Sequence, residues 1–212
     1  YLKMRRYEEC EKICLEAELI QKEVLGLDHD RYVYNLTVLA ALYQNQGRYE
    51  EAIDLFLKAR RLYKKIFGVN NDRYAKTLLD LADTYFEIGR YDKSLLLELE
   101  SLKITEDKLG VEHEKYAKCW NALGKTYLSL NHLLKARECL GEGLKVASGL
   151  DISLMITKEW KDSLARANYS SVIHIEQALD NLNYLYLLLE QEKDKNVEVK
   201  ELILSNLAHV LL

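Results

Sequence analysis

The residues with the most chemical promise stand where the chain turns. His113 and Glu114 begin an H-E-x-x-H pattern, which on one helix face would set two imidazoles against a zinc ion with the glutamate as base, but the second histidine position holds Ala117. Asp28, His29 and Asp30 offer oxygen and nitrogen donors in succession, yet three groups in one short loop do not surround an ion. Gly141 and Gly143 come closest to a phosphate loop, and neither is followed by Lys-Ser or Lys-Thr. Paired carboxylates such as Glu50 and Glu51 diverge on a helix, so their adjacency implies no acid-base pocket. Cys10, Cys14, Cys119 and Cys139 lack a paired C-x2-C spacing and read as buried thiols of a reducing, cytoplasmic setting. The expectation is therefore no catalytic residue, no cofactor and no metal in this segment.

Stepping out to the elements that carry these residues, the chain repeats itself. Trp120-x2-Leu123-Gly124-x2-Tyr127 places three large residues on one face of a helix. Ala136-x3-Leu140 gives the inward face of a second helix, and Gly124 lets the two approach closely. Forty-two residues earlier stand Leu78, Leu81, Ala82 and Tyr85, and before them Leu36, Leu39, Ala40 and Tyr43. Ala136 maps back onto Ser94, Ala52 and Cys10, and Leu140 onto Phe56 and Cys14. The repeat between them carries Glu98 at that inward place, so the neighbouring Leu95 and Leu99 are expected to take over the face.

Glycines punctuate the period. Gly47 and Gly89 turn each hairpin, Asn131 replaces them in the next, and Gly26, Gly68 and Gly110 end the second helices. The clusters Asp28-His29-Asp30 and Asn70-Asn71-Asp72 supply helix N-caps. The absence of proline suits near-continuous helix, and no apolar run approaches the ~20 residues of a membrane helix. A net charge of -4, with no continuous basic stripe, gives no general attraction to nucleic acid.

These residues resemble the tetratricopeptide signature W-x2-L-G-x2-Y followed by A-x3-F. The 42-residue period, with QNQGRYEEA at 44–52 and LGLDHD at 25–30, is similar to the kinesin-light-chain type of that repeat. The resemblance implies an all-α, right-handed superhelical solenoid of stacked antiparallel helix pairs. The expected organisation is one array: a half repeat over 2–26, repeats over 27–68, 69–110 and 111–151, a degenerate repeat over 152–194, and the start of a sixth over 197–212. In the degenerate repeat Asp162 and Arg166 fall where Leu and Ala belong, and a register shifted to Leu164 and Ala165 is the alternative. Beginning in mid-repeat and stopping in mid-helix is what a piece of a longer chain would do.

Arrays of this family usually present a concave surface, carried by the first helices, to a peptide or protein. The resemblance places Tyr34, Asn45, Lys76, Asp80, Asp83, Phe86, Lys118, Asn121 and Lys125 on that surface. Lys118, Asn121 and Lys125 share one helix face and Lys76 precedes Lys118 by one period, so an acidic partner segment with an aromatic or apolar anchor is expected. Kinesin light chains carry paired asparagines where this chain has Thr37-Val38, Leu79-Asp80 and Asn121-Ala122. Only Asn121 retains one. The leading expectation is an interaction scaffold. The competing one is the regulatory arm of a larger protein, since similar arrays accompany CHAT-type caspase-like peptidases and nucleotide-binding switch domains, with which an intramolecular contact would form.

Overall fold

In the computed structural model the described residues are 2–150 and 161–167. The chain divides into two compact units, Tyr1–Leu164 and Ala165–Leu212. Of the expected repeats over 152–194 and 197–212, only the helical stretch 161–167, which crosses the boundary between the two units, lies among the described residues. Within that stretch Ser163 and Ala167 are buried while Asp162, Ala165 and Arg166 are exposed. Leu164 is half-buried.

Up to residue 150 the described residues of the first unit form seven helices: α1 (Leu2–Val24), α2 (Asp30–Asn45), α3 (Tyr49–Phe67), α4 (Asp72–Glu87), α5 (Tyr91–Leu109), α6 (Glu114–Ser129) and α7 (Leu133–Gly149). Each packs against the helices before and after it in the chain, giving the hairpins α2/α3, α4/α5 and α6/α7 with α1 leading. Their turns need a left-handed residue, which Gly47 and Gly89 supply at φ 77° and 74° and Asn131 at φ 60°.

The starts of the first helices are capped by side chains. Asn71 Oδ1 accepts from the Arg73 and Tyr74 amides, and His29 Nδ1 and His113 Nδ1 accept from the Arg31 and Lys115 amides at 3.1 Å each. This accounts for His113, whose zinc-motif partner is missing. It also dissolves the Asp28-His29-Asp30 cluster: Asp28 pairs with Lys65 at 2.6 Å, His29 caps α2, and Asp30 pairs with Arg73.

Most signature positions form the core, with Trp120 and Tyr127 half-buried against it. Leu36, Leu39, Ala40, Leu78, Leu81, Ala82, Leu123, Ala136 and Leu140 are all buried. Gly124 is where α6 and α7 close up, because a Cβ there would overlap Leu140 Cγ and stand 2.7 Å from its Cδ2. Gly143 makes a second close approach, with the Ala117 carbonyl 3.2 Å from the place a Cβ would take. Cys14, Cys119 and Cys139 are buried, but Cys10, expected inside, is exposed. It stands on α1.

Ion pairs stitch one hairpin to the next. Asp30 with Arg73 recurs one period on as Asp72 with Lys115, in the same polarity. A second pair inverts: Glu18 faces Lys58 at 3.4 Å, and one period later Arg60 faces Glu100 at 3.2 Å. Tyr32 and Tyr74 each donate their hydroxyl to the carboxylate of the pair beside them.

Candidate partner-binding groove

Among the described helices the backbones of α2 and α4, and of α4 and α6, approach each other closely, while α3 and α5 meet through long side chains such as Arg60 and Glu100 without their backbones coming as near. The first helices therefore stand closer together than the second helices, which makes their row the inner side of the bend in this unit. Gln44 Nε2 on α2 reinforces it by donating to Asp83 Oδ2 on α4 at 2.6 Å.

Two clefts open on this row. One, of about 350 Å³ between α2 and α4, is lined by Tyr34, Thr37, Lys76 and Asp80, with Asp30, Arg73 and Tyr63 around them. The other, of about 220 Å³ between α4 and α6, is lined by Leu79, Asp80, Asp83, Phe86, Asn121, Ala122 and Lys125, with Glu98 of α5 behind them. Seven of the nine expected groove residues thus gather in these clefts. Lys118 lines neither, and neither does Asn45, whose side-chain amide donates to the Ala41 carbonyl of its own helix at 2.7 Å.

The electrostatics differ from a simple basic patch. Lys76 pairs with Asp80 at 2.7 Å, and Lys118 pairs with Glu114, each within one helix. Glu114 is held below the usual carboxylate range by the Lys118 hydrogen bond, whereas burial pushes Asp80 up despite Lys76. Tyr34 is 62% exposed, an amphipathic ring facing solvent at the first cleft. Phe86 is half-buried and rests on Tyr91, ring centroids 5.3 Å apart.

Glu98 is the residue that sequence reasoning misplaced. Leu95 is only half-buried and Leu99 is exposed, so neither replaces it; Glu98 keeps the inward position, 2% exposed. Thr126 Oγ1 donates to Glu98 Oε1 at 2.7 Å, and Ser94 Oγ lies 2.9 Å from the same oxygen and 2.8 Å from the Ala82 carbonyl. Burial raises its carboxyl to about 7, against the hydrogen bonds from Thr126 and Ser94. The signal was present in the sequence: Ser94 replaces the alanine of the two adjacent repeats one turn earlier, a hydroxyl placed at i−4 to a carboxyl. Among the described residues no three metal-ligating groups converge, and no helix is long and apolar enough to cross a membrane.

Comparison with known proteins agrees with this architecture. Tetratricopeptide-repeat patterns match residues 32–107 and 117–149, about half of the chain. No curated protein sequence matches. Among solved structures, BtubC (BKLC) from P. vanneervenii superposes with a TM-score of 0.74 at 18% identity, over 80% of this chain and 68% of that one. A putative kinesin light chain from Podosopora anserina with nearly identical TPR-like repeats gives 0.67 at 18% identity, over 92% of each chain. The first tetratricopeptide domain of Spaghetti (RPAP3), bound to an Hsp90 peptide, gives 0.53 at 16% identity, over 68% of this chain and 96% of that one. The fold is an all-α, right-handed solenoid of stacked antiparallel helix pairs. With the repeat period, the buried signature positions and these matches together, the chain belongs to the tetratricopeptide-repeat family, and its repeats are kinesin-light-chain-like.

Proposed function

We propose that this chain is an interaction scaffold that holds a peptide or protein segment along the row formed by α2, α4 and α6, binding it rather than transforming it. The observation that carries the reading is the pair of clefts on the inner row, each opening between successive first helices and each lined by side chains from both. An extended segment lying across the row would drop one side chain into each cleft. The Spaghetti domain, of the same fold, holds a peptide.

The contact residues in this reading are Tyr34, Asn45, Lys76, Asp80, Asp83, Phe86, Lys118, Asn121 and Lys125. Leu79 and Phe86 offer an apolar anchor its seat at the second cleft. An acidic stretch of the partner would meet Lys118 and Lys125 on α6. Lys118 must exchange Glu114 for it, and since such exposed helix pairs are worth only about 0 to 1 kcal/mol, the exchange is easily made. Three buried thiols with no disulfide suit a reducing compartment, and we place the protein in the cytoplasm on that ground.

The test is a peptide-display selection against the chain, with recovered peptides rebound to variants at two salt concentrations. Tyr34→Ala, and Lys118→Glu combined with Lys125→Glu, are expected to weaken binding at least tenfold with circular dichroism unchanged. Arg61→Glu on the exposed outer face of α3 is expected to leave it intact. Peptides that bind the row variants as well as the parent would refute the groove.

A further inference from the structure

Two side-chain oxygens at the second cleft are sealed from water and have no hydrogen-bond partner: Glu98 Oε2, on a residue 2% exposed, and Asn121 Oδ1, on a residue 8% exposed. Folded chains leave few buried acceptors unmet, because the lost hydration is not returned. Here two of them, from α5 and α6, belong to residues that line one cleft. Its 220 Å³ is several times the ~30 Å³ that one water occupies in the liquid, so it has room for more than a bridging water.

The rest of the lining says what kind of group belongs there. Asp80 and Asp83 on α4 add two carboxylates, the first occupied by Lys76 and the second by Gln44. Lys125 lines the same cleft, but Glu98 Oε2 does not have it as a hydrogen-bond partner. An incoming carboxylate would face Asp80 and Asp83, with the Glu98 carboxyl behind them. An incoming hydroxyl brings a single proton for two acceptors. A guanidinium or ammonium brings several N–H donors, no acceptor and the opposite charge.

We infer that this cleft receives a cationic side-chain end of the partner, an arginine or a lysine, whose N–H groups reach Glu98 Oε2 and Asn121 Oδ1 by turning aside the side chains that cover them, while its methylene stem lies along Leu79 and Phe86. The inference rests on the scaffold reading and refines it: the acidic residues of the partner meet Lys118 and Lys125 on α6, and a basic one enters the cleft between α4 and α6. Glu98, anomalous as a core residue of a repeat hairpin, is thereby the floor of a specificity pocket.

The probe is N-acetyl-arginine methylamide, titrated into the ¹³C,¹⁵N-labelled chain at pH 6, with the norleucine and glutamate analogues as controls. The Glu98 carboxyl signal is expected to move towards its ionised position, and the Asn121 side-chain amide to shift saturably. Both controls should bind at least tenfold more weakly. Glu98→Gln and Asn121→Leu should each weaken the arginine probe at least fivefold. The carboxyl readout is made on the unaltered chain, so it decides the matter even if a variant does not fold. An unmoved Glu98 signal, or equal binding of the norleucine analogue, overturns the inference. Display-selected peptides that bind the row with no arginine or lysine preferred at any position also overturn it, and leave the scaffold reading standing. Arginine binding in the cleft without any peptide binding along the row would sink the scaffold reading alone.

Discussion

Replacing Glu98 by glutamine should change how the stability of the fold depends on pH. In an open chain the carboxyl titrates near its ordinary 4.5, and in the folded one burial holds it up to about 7. Between those values the folded chain keeps a proton that the unfolded chain has released, so the unfolded state binds fewer protons and stability falls as pH rises through the window. Below 4.5 both states are protonated and the group contributes no pH dependence. Above 7 the full cost is present, about 3 kcal/mol from the displacement of the titration. Glutamine keeps an acceptor for Thr126 and Ser94 but has nothing to ionise. Glu98→Gln is therefore expected to gain on the parent chain progressively from pH 4.5 to 7, by up to about 3 kcal/mol, and to keep a constant margin beyond. Urea denaturation of both proteins at intervals from pH 4 to 8 measures it, and taking the difference removes the other carboxylates. Parallel curves across the whole range would mean that Glu98 is neither desolvated nor inward-facing, and would refute the account of α5.

Three further expectations test the frame that holds the groove. Leu81→Ala and Tyr85→Ala, at positions 0% and 8% exposed, should each cost about 2 to 5 kcal/mol in denaturation; a loss no larger than that of a surface control would show the inward face to be misassigned. Gly124→Ala should destabilise by about 1 to 3 kcal/mol because its Cβ meets Leu140, whereas Gly141→Ala, with open space around it, should be neutral or slightly stabilising in the same thermal melts. Gly89→Val should cost more than Asn131→Gly, since valine resists the positive φ that glycine accepts freely, and the reverse order would break the hairpin register.

The inverted ion pairs bear on how hairpins choose their neighbours. If Glu18 met Glu100 instead of Lys58, two carboxylates would oppose each other, so the sign change from one interface to the next disfavours stacking out of order. Conserved polarity, as in Asp30 with Arg73 and Asp72 with Lys115, carries no such information. Sequence alone shows Glu18 and Arg60 as equivalents one period apart, but it does not show which residue either one faces.

What the sequence by itself determined about this chain is whatever repeats along a helix or terminates one. The 42-residue spacing of Leu36, Leu78 and Trp120, the glycine turns with Asn131 among them, and the close approach at Gly124 all follow from periodicity and from φ preferences that act within a few residues. Seven of the nine expected groove residues share clefts for the same reason, since helical phase fixes the face from which a side chain leaves. The tertiary structure decided what each of those side chains meets. Lys76 and Lys118 found carboxylates on their own helices, Cys10 was left exposed, and His113 became a cap. Glu98 stayed inside because Thr126, 28 residues away on the next helix pair, supplies a hydroxyl that the spacing around Glu98 does not reveal. Phase along one helix is a local property, but the partner of a buried polar atom is set by the distance between helices. In this chain that distance left Glu98 Oε2 and Asn121 Oδ1 without one, at the same cleft.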